Sequence, residues 1–155
     1  MKHLQLVLDF ATEKHKGQKR KDGKDYITHP IAVAEIAVRM ARQENQFSEK
    51  YIQMIYVISL AHDFWEDTNA TEDEFKETLS LTSLFTNFEI SQIIAATFDL
   101  TRVSKISSVL SYLETIKGNH LAHIVKLADL EHNLSDLGPG NLRDKYHLCR
   151  WFLES

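Results

Sequence analysis

An apolar run of about three helical turns, Tyr51–Ala61 (YIQMIYVISLA), ends directly in titratable residues: His62, Asp63, Glu66 and Asp67 follow within AHDFWEDT, Ala61–Thr68. A helix this apolar buries a wide face, so it carries the polar cluster into the interior. Ionisable side chains are almost never fully buried unless paired or bound to a metal. If the helix continues, His62 lies over Glu66 and Asp63 over Asp67, because residues four apart share a face. Two ligand-type groups followed by two carboxylates suit metal-assisted hydrolysis, which needs ligands for an ion and a carboxylate beside the attacking water. An isolated His-Asp pair is more often a cap or a surface feature. Other segments must supply matching chemistry.

Two segments do. In Tyr26-Ile27-Thr28-His29-Pro30, His29 precedes a proline, and Ile31–Ala41 (IAVAEIAVRMA) has helical apolar spacing. The residue before proline is pushed out of the helical region, while proline itself suits a first turn. His29 is therefore expected in an extended conformation at the mouth of a helix. In Lys126–Asn133 (KLADLEHN), Asp129 and Asn133 are four apart, beside the apolar Ile124, Val125 and Leu127. An acid beside an apolar face needs a partner, which a salt bridge supplies as readily as a metal. His29, His62, Asp63 and Asp129 together make a set of two imidazoles and two carboxylates. That donor set suits a first-row divalent ion, with zinc, manganese and iron all open.

The rest of the chain reads as helix. There are two prolines and five glycines in 155 residues, and no alternating pattern, internal repeat or low-complexity segment. Helices are expected over Lys2–Lys16, Pro30–Gln43, Glu49–His62, Thr71–Leu79, Thr86–Phe98, Lys105–Lys117, His120–Leu134 and Leu142–Leu153. Thr71 with Glu74 and Thr86 with Glu89 have capping-box spacing, and Gly138-Pro139-Gly140 marks a break. The length fits one domain, 1–155, with an ample core. The fold class is therefore all-α.

Net charge is -4, which argues against stable nucleic-acid binding. Basic residues nevertheless gather at Lys14, Lys16, Lys19, Arg20, Lys21 and Lys24, next to His29. Such runs are commonly solvated loops. Beside a metal site this one offers cations to a phosphorylated substrate. The single cysteine, Cys149, excludes an internal disulfide and fits a reducing compartment. With no visible signal peptide and no membrane-length apolar stretch, the expected location is the cytoplasm, with no membrane partner.

Three segments together resemble a known family. His15-Lys-Gly-Gln-Lys-Arg-Lys-Asp-Gly-Lys-Asp-Tyr-Ile-Thr-His-Pro30 is similar to H-x-G-Q-x-R-x-x-G-x-x-Y-x-x-H-P. Ala61–Thr68 is similar to H-D-x-x-E-D-T, and Lys126–Asn133 to K-L-A-D-x-x-H-N. These are motifs of the HD-superfamily hydrolase domain of RelA/SpoT alarmone enzymes and of small alarmone hydrolases. They occur in that family's order, and the resemblance covers about residues 1 to 135. It implies an HD-domain helical bundle. His29, His62, Asp63 and Asp129 would bind one divalent ion, manganese, and Glu66 and Asp67 would orient and deprotonate the attacking water. Arg20, Lys21, Lys24, Tyr26 and Asn133 would meet the substrate, a phosphorylated nucleotide. The implied reaction removes the 3′ pyrophosphate from guanosine tetra- or pentaphosphate. Alternatives are hydrolysis of another nucleotide or nucleotide cofactor, and a non-catalytic nucleotide-binding regulator.

This chain departs from the family at Asp22, where serine is usual, and at Glu131. Ala95–Arg102 resembles the family's threonine-lysine strip only loosely. Of the remaining polar and aromatic residues, His15 and His132 are expected to be structural and Trp65 to be core. Tyr26, in the basic loop, is the better candidate for stacking on a base.

Overall fold

The computed structural model describes residues 2–102 and 108–155. In chain order the helices are α1 (Lys2–Lys14), α2 (Thr28–Gln43), α3 (Glu49–Ala61), α4 (Phe64–Asp67), α5 (Glu72–Leu81), α6 (Asn87–Asp99), α7 (Val109–Lys117), α8 (His120–Ser135) and α9 (Asn141–Glu154). Among the described residues there is no strand, only an isolated bridge between Lys19 and Asp25. The all-α expectation holds. No described helix is long and apolar enough to cross a membrane.

The centre is a trio. α2 packs on α3 and α8, α1 and α6 flank α3, and α7 and α9 close over α8. Beyond its first turn α3 is almost wholly covered: Ile52, Met54, Ile55, Val57, Ile58, Ser59, Leu60 and Ala61 are buried, and Gln53 and Tyr56 are part-exposed. A helix apolar on nearly all sides belongs in an interior. Its C-terminus therefore opens inside the protein, and that position places the site.

Local sequence explains most boundaries. Both expected capping boxes form: the Thr71 and Thr86 hydroxyls accept from the amides of Glu74 and Glu89, and the threonine amides donate back to the two glutamate carboxylates. Ser48, Ser108 and Asn119 cap α3, α7 and α8 in the same sense. The expected start of α7 at Lys105 lies outside the described residues.

Three local expectations are corrected. α1 stops at Lys14 rather than Lys16, because His15–Gln18 forms a tight turn closed by the Gln18 amide on the His15 carbonyl at 3.0 Å. Gly17 sits there at φ +84°, a conformation that glycine adopts without steric cost. His29 is not extended: α2 begins at Thr28, and the His29 amide donates to the Tyr26 carbonyl at 2.9 Å. First-turn amides lack an in-helix acceptor anyway, so the turn before Pro30 outweighs the pre-proline preference. Finally, α3 does not run through His62. The His62 Nδ1 lies 2.7 Å from the Ser59 carbonyl and satisfies a helix-end acceptor, and Asp63 leaves the helical region at φ −104°, ψ 5°.

The single turn α4 follows. Four residues cannot hold a helix alone, and Phe64 anchors this one. It is fully buried, with edge-on contacts to Phe10 and Phe75 at centroid distances of 5.5 and 5.3 Å. Burying such a ring contributes roughly 2–3 kcal/mol. Trp65 joins this cluster, stacked on Phe98 at 4.9 Å with its Nε1 donating to Thr97 at 3.0 Å.

Candidate metal centre

Three chain segments meet at the open end of α3. His29 comes from the first turn of α2, His62 and Asp63 from the α3–α4 junction, and Asp129 from the middle of α8. His29, His62 and Asp129 are buried, and one ligand atom of each lies within 4.8 Å of the others. Asp129 Oδ1 is 3.0 Å from His29 Nε2 and 3.5 Å from His62 Nε2. Asp63 Oδ2 is 3.1 Å from His62 Nε2 and 3.9 Å from His29 Nε2. An ion bonded at about 2.1 Å has ligand-to-ligand edges of about 3.0 Å at right angles and about 3.4 Å at the tetrahedral angle. Three of the four spacings fit such edges, and the 3.9 Å between Asp63 and His29 is wider.

The hydrogen-bond pattern fits as well. A carbonyl only accepts, so His62 Nδ1 carries the proton it shares with Ser59, and Nε2 is the ring nitrogen turned toward the carboxylates. That Nε2 is buried and, despite the nearby carboxylates, has no hydrogen-bond partner. His29 Nδ1 is 2.7 Å from His132 Nδ1, and burial, then His29 and Arg20, lower the His132 pKa and favour its neutral form. A neutral His132 can accept from His29 Nδ1, which turns His29 Nε2 toward Asp129. Metal-binding imidazoles characteristically have the other ring nitrogen held in this way.

The carboxylates are held from outside. Asp129 accepts from Lys126 Nζ on Oδ2 and from Asn133 Nδ2 on Oδ1, both at 2.9 Å. Tyr26 donates its hydroxyl to Asp63 Oδ2 at 2.6 Å. The electrostatics favour a cation at the centre. Burial opposes charge on His62, yet Asp63 and Asp129 outweigh it and raise the imidazole pKa well above the usual range. Burial would likewise push the Asp63 carboxyl up, but His62 holds it down to about 2. Without an ion, a proton supplies positive charge between the two acids.

Residues 26–134 match the family model of the HD domain. The chain belongs to the HD-domain family. It is 32% identical over 134 residues to a guanosine-3′,5′-bis(diphosphate) 3′-pyrophosphohydrolase MESH1 of Danio rerio, covering 84% of this chain and 67% of that protein. The MESH1 protein of Mus musculus is 34% identical, with 83% and 66% covered. A guanosine-3′,5′-bis(diphosphate) 3′-pyrophosphohydrolase of Haemophilus influenzae is 27% identical, but this chain spans only 18% of its length. A solved structure described as a metazoan ortholog of SpoT that hydrolyzes ppGpp superposes over 99% of this chain and 84% of its own, at a TM-score of 0.66 and 22% identity. That likeness shows the fold.

An inner and an outer hollow flank the HD centre, and a third of about 690 Å³ is lined by Glu66 and Asp67 with Lys14, Lys16 and Gln18. The inner one, about 180 Å³, is lined by His62, Asp63 and Asp129 with Glu66, Arg102, Lys126 and Lys145 among its polar walls. Glu66 Oε1 accepts from the Arg102 amide at 2.6 Å, and burial raises the Glu66 pKa above that of an ordinary carboxyl. Burial, then Asp63, raises Asp67. The outer hollow, about 440 Å³, is lined by Lys19, Arg20, Lys21, Asp22, Tyr26, Asn133 and Asp136. Tyr146 borders both.

Most residues singled out in the sequence converge here, but Lys24 does not. It is 72% exposed, with its Nζ 3.9 Å from Asp22, and it borders none of these hollows. The Tyr26 ring, offered for stacking, already lies 4.9 Å from the His15 ring, and its hydroxyl is committed to Asp63. Sequence reasoning missed Lys126 and Tyr146. Lys126 was findable: it stands three residues before Asp129 on the same helical face. Tyr146 follows the Gly-Pro-Gly break and carried no local signal.

Proposed function

We propose that this chain is a single HD-type hydrolase domain that removes the 3′ pyrophosphate from guanosine 3′,5′-bis(diphosphate). The observation that carries this reading is the buried trio of His29, His62 and Asp129 with the part-buried Asp63 beside it, bordered by Glu66 on one side and by the Arg20–Lys21 loop on the other. The names of the MESH1 relatives support the choice of substrate.

His29, His62, Asp63 and Asp129 hold one divalent ion, manganese. When bound, it supplies Lewis acidity, which lowers the pKa of water and polarises a phosphoryl oxygen. Glu66 presents Oε2 to the attacking water, because Oε1 is engaged by the Arg102 amide. Its raised pKa makes it a better proton acceptor than an ordinary glutamate near neutral pH. Water oxygen bonds to the phosphorus carried on O3′, the P–O3′ bond breaks, and pyrophosphate leaves. Glu66 takes the proton of the water, and O3′ is protonated as it departs. Asp67 assists Glu66. Arg20 and Lys21 offset phosphate charge at the outer hollow, and Asn133 lies between that hollow and Asp129.

One observation favours a second reading. Asp22 and Asp136 line the same outer hollow, and Asp136 Oδ2 is 3.5 Å from the Arg20 guanidinium. These acids reduce the positive charge available there, which suits a nucleotide with fewer phosphates. The test is incubation of the manganese-loaded chain with guanosine 3′,5′-bis(diphosphate) and a panel of other nucleotides, with products identified by mass. Pyrophosphate released from the former supports the first reading. Turnover confined to another nucleotide replaces it with the second.

A further inference from the structure

Gln18 lies outside the metal set. With Glu66 and Asp67 it borders the hollow of about 690 Å³, and it ties three segments together. Its Nε2 donates to the Asp67 carbonyl at 2.6 Å. Its Oε1 is 2.8 Å from His15 Nδ1. Its own carbonyl accepts from the Tyr26 amide at 2.9 Å. The orientation of the amide follows from chemistry. The Asp67 carbonyl can only accept, so the amide nitrogen must face it. The amide oxygen therefore faces His15, and His15 Nδ1 must be the donor.

The turn at Gly17 puts the His15 and Gln18 side chains on one side of the chain. His15 is itself buried and packs against Tyr26 and Phe64, so the oxygen end of the amide is fixed by the core. The nitrogen end then fixes the Asp67 peptide, whose own amide donates back to the Asp63 carbonyl at 3.0 Å. The α4 turn, which carries Glu66 and Asp67 beside the ligand Asp63, is thus clamped at both ends. Four residues have no helical cooperativity of their own to hold that geometry.

We infer that Gln18 is the positioning residue that sets the Glu66–Asp67 turn against the metal centre, through its side-chain bridge from His15 to the Asp67 carbonyl. Both ends of its amide are engaged, so its side chain acts through the Asp67 peptide. The inference rests on the hydrolase reading above for its effect on rate, and not for its effect on the turn.

The test uses the full chain loaded with manganese, as wild type, Gln18→Ala and Gln18→Glu. Gln18→Glu keeps the size but turns an oxygen toward the Asp67 carbonyl. Misplacement of a catalytic group typically costs up to about a hundredfold in rate, so both variants should lose about tenfold to a hundredfold in kcat on guanosine 3′,5′-bis(diphosphate). KM should stay within about twofold, as expected when only transition-state interactions are lost. Metal content should not change. Amide hydrogen exchange read by mass spectrometry should accelerate in the peptide covering 62–70. Unchanged kcat in Gln18→Glu, or unchanged exchange in both variants, overturns the inference even if the melting temperature falls. Faster exchange in a protein whose wild type does not hydrolyse this nucleotide supports the role of Gln18 and sinks the substrate reading instead.

Discussion

The inner and outer hollows are built from opposite materials. Polar groups at the inner one are held by buried partners on α3 and α8: Lys126 on Asp129, Ser59 on His62. The outer one is made largely of a loop whose charges pair at the surface, Lys19 with Asp25 and Lys24 with Asp22, while the mostly covered Arg20 reaches Asp136 at the end of α8. Buried pairs cannot be broken without stranding a charge, whereas surface pairs contribute little and exchange partners freely. The inner side is therefore rigid and suited to chemistry. The outer side can trade its own carboxylates for those of a ligand's phosphates, and there substrate choice can change without disturbing the metal.

The sharpest way to break this contrast is to remove an inner carboxylate. Asp63→Ala deletes one ligand and leaves Tyr26 and His62 without their partner. Elemental analysis should find the ion lost and activity abolished, where wild type holds about one ion per chain. Full metal content with full activity in this variant would dismiss Asp63 as a ligand. The next effect separates ion from chemistry. Glu66→Gln keeps shape but removes the proton acceptor, which typically costs about a hundredfold to ten-thousandfold in rate, while metal stays bound. Because Glu66 must be ionised to act and its pKa is raised, wild-type activity should fall on acidification above the usual carboxylate range. That limb should vanish from the residual activity of the variant. Metal loss in Glu66→Gln would move Glu66 into the ligand set.

A smaller effect tests how the inner side is held. His132→Leu removes the acceptor behind His29, and losing such a support typically lowers metal affinity about tenfold to a hundredfold. His132→Asn restores an acceptor oxygen and should recover most of it. Calorimetric titration of the metal-free chain reads both. Equal affinity in all three proteins would leave His132 a mere packing residue, the role its sequence context suggested.

What the sequence reveals and what it hides have physical causes. Features with local causes were legible: the apolar α3 with acids at its end, the capping boxes at Thr71 and Thr86, and the break before α9. His29, His62, Asp63 and Asp129 were legible as ligand-type residues in or beside apolar segments, where an unpaired ionisable group is costly, but their joining in one site rested on the resemblance of the three motifs to the HD family and not on their spacing. The single turn α4 was not legible, since four residues have no periodicity to detect. Nor were the supporting contacts. His132 meets His29 across 103 residues, and Gln18 meets Asp67 across 49. Nothing near either residue in sequence announces its partner.

The smallest expected effect lies on the outer side. Asp22 lines the substrate hollow, and its Oδ1 accepts from the Lys24 amide at 3.0 Å. A serine hydroxyl can accept the same bond, so Asp22→Ser should keep the loop's shape while deleting one negative charge. If the substrate is guanosine 3′,5′-bis(diphosphate), the phosphates lose a repulsive neighbour at the surface. Water and salt screen such a charge to about 0.5 kcal/mol, so KM should fall by about twofold and kcat should hold. Arg20→Ala calibrates that result with the opposite sign. Losing a charge-assisted hydrogen bond of about 1.5–3 kcal/mol should raise KM by roughly tenfold to a hundredfold, with metal content unchanged. If Asp22→Ser instead weakens turnover, Asp22 itself contacts the substrate. A carboxylate does so by accepting from a ribose hydroxyl, and a nucleotide with fewer phosphates becomes the better fit to this hollow.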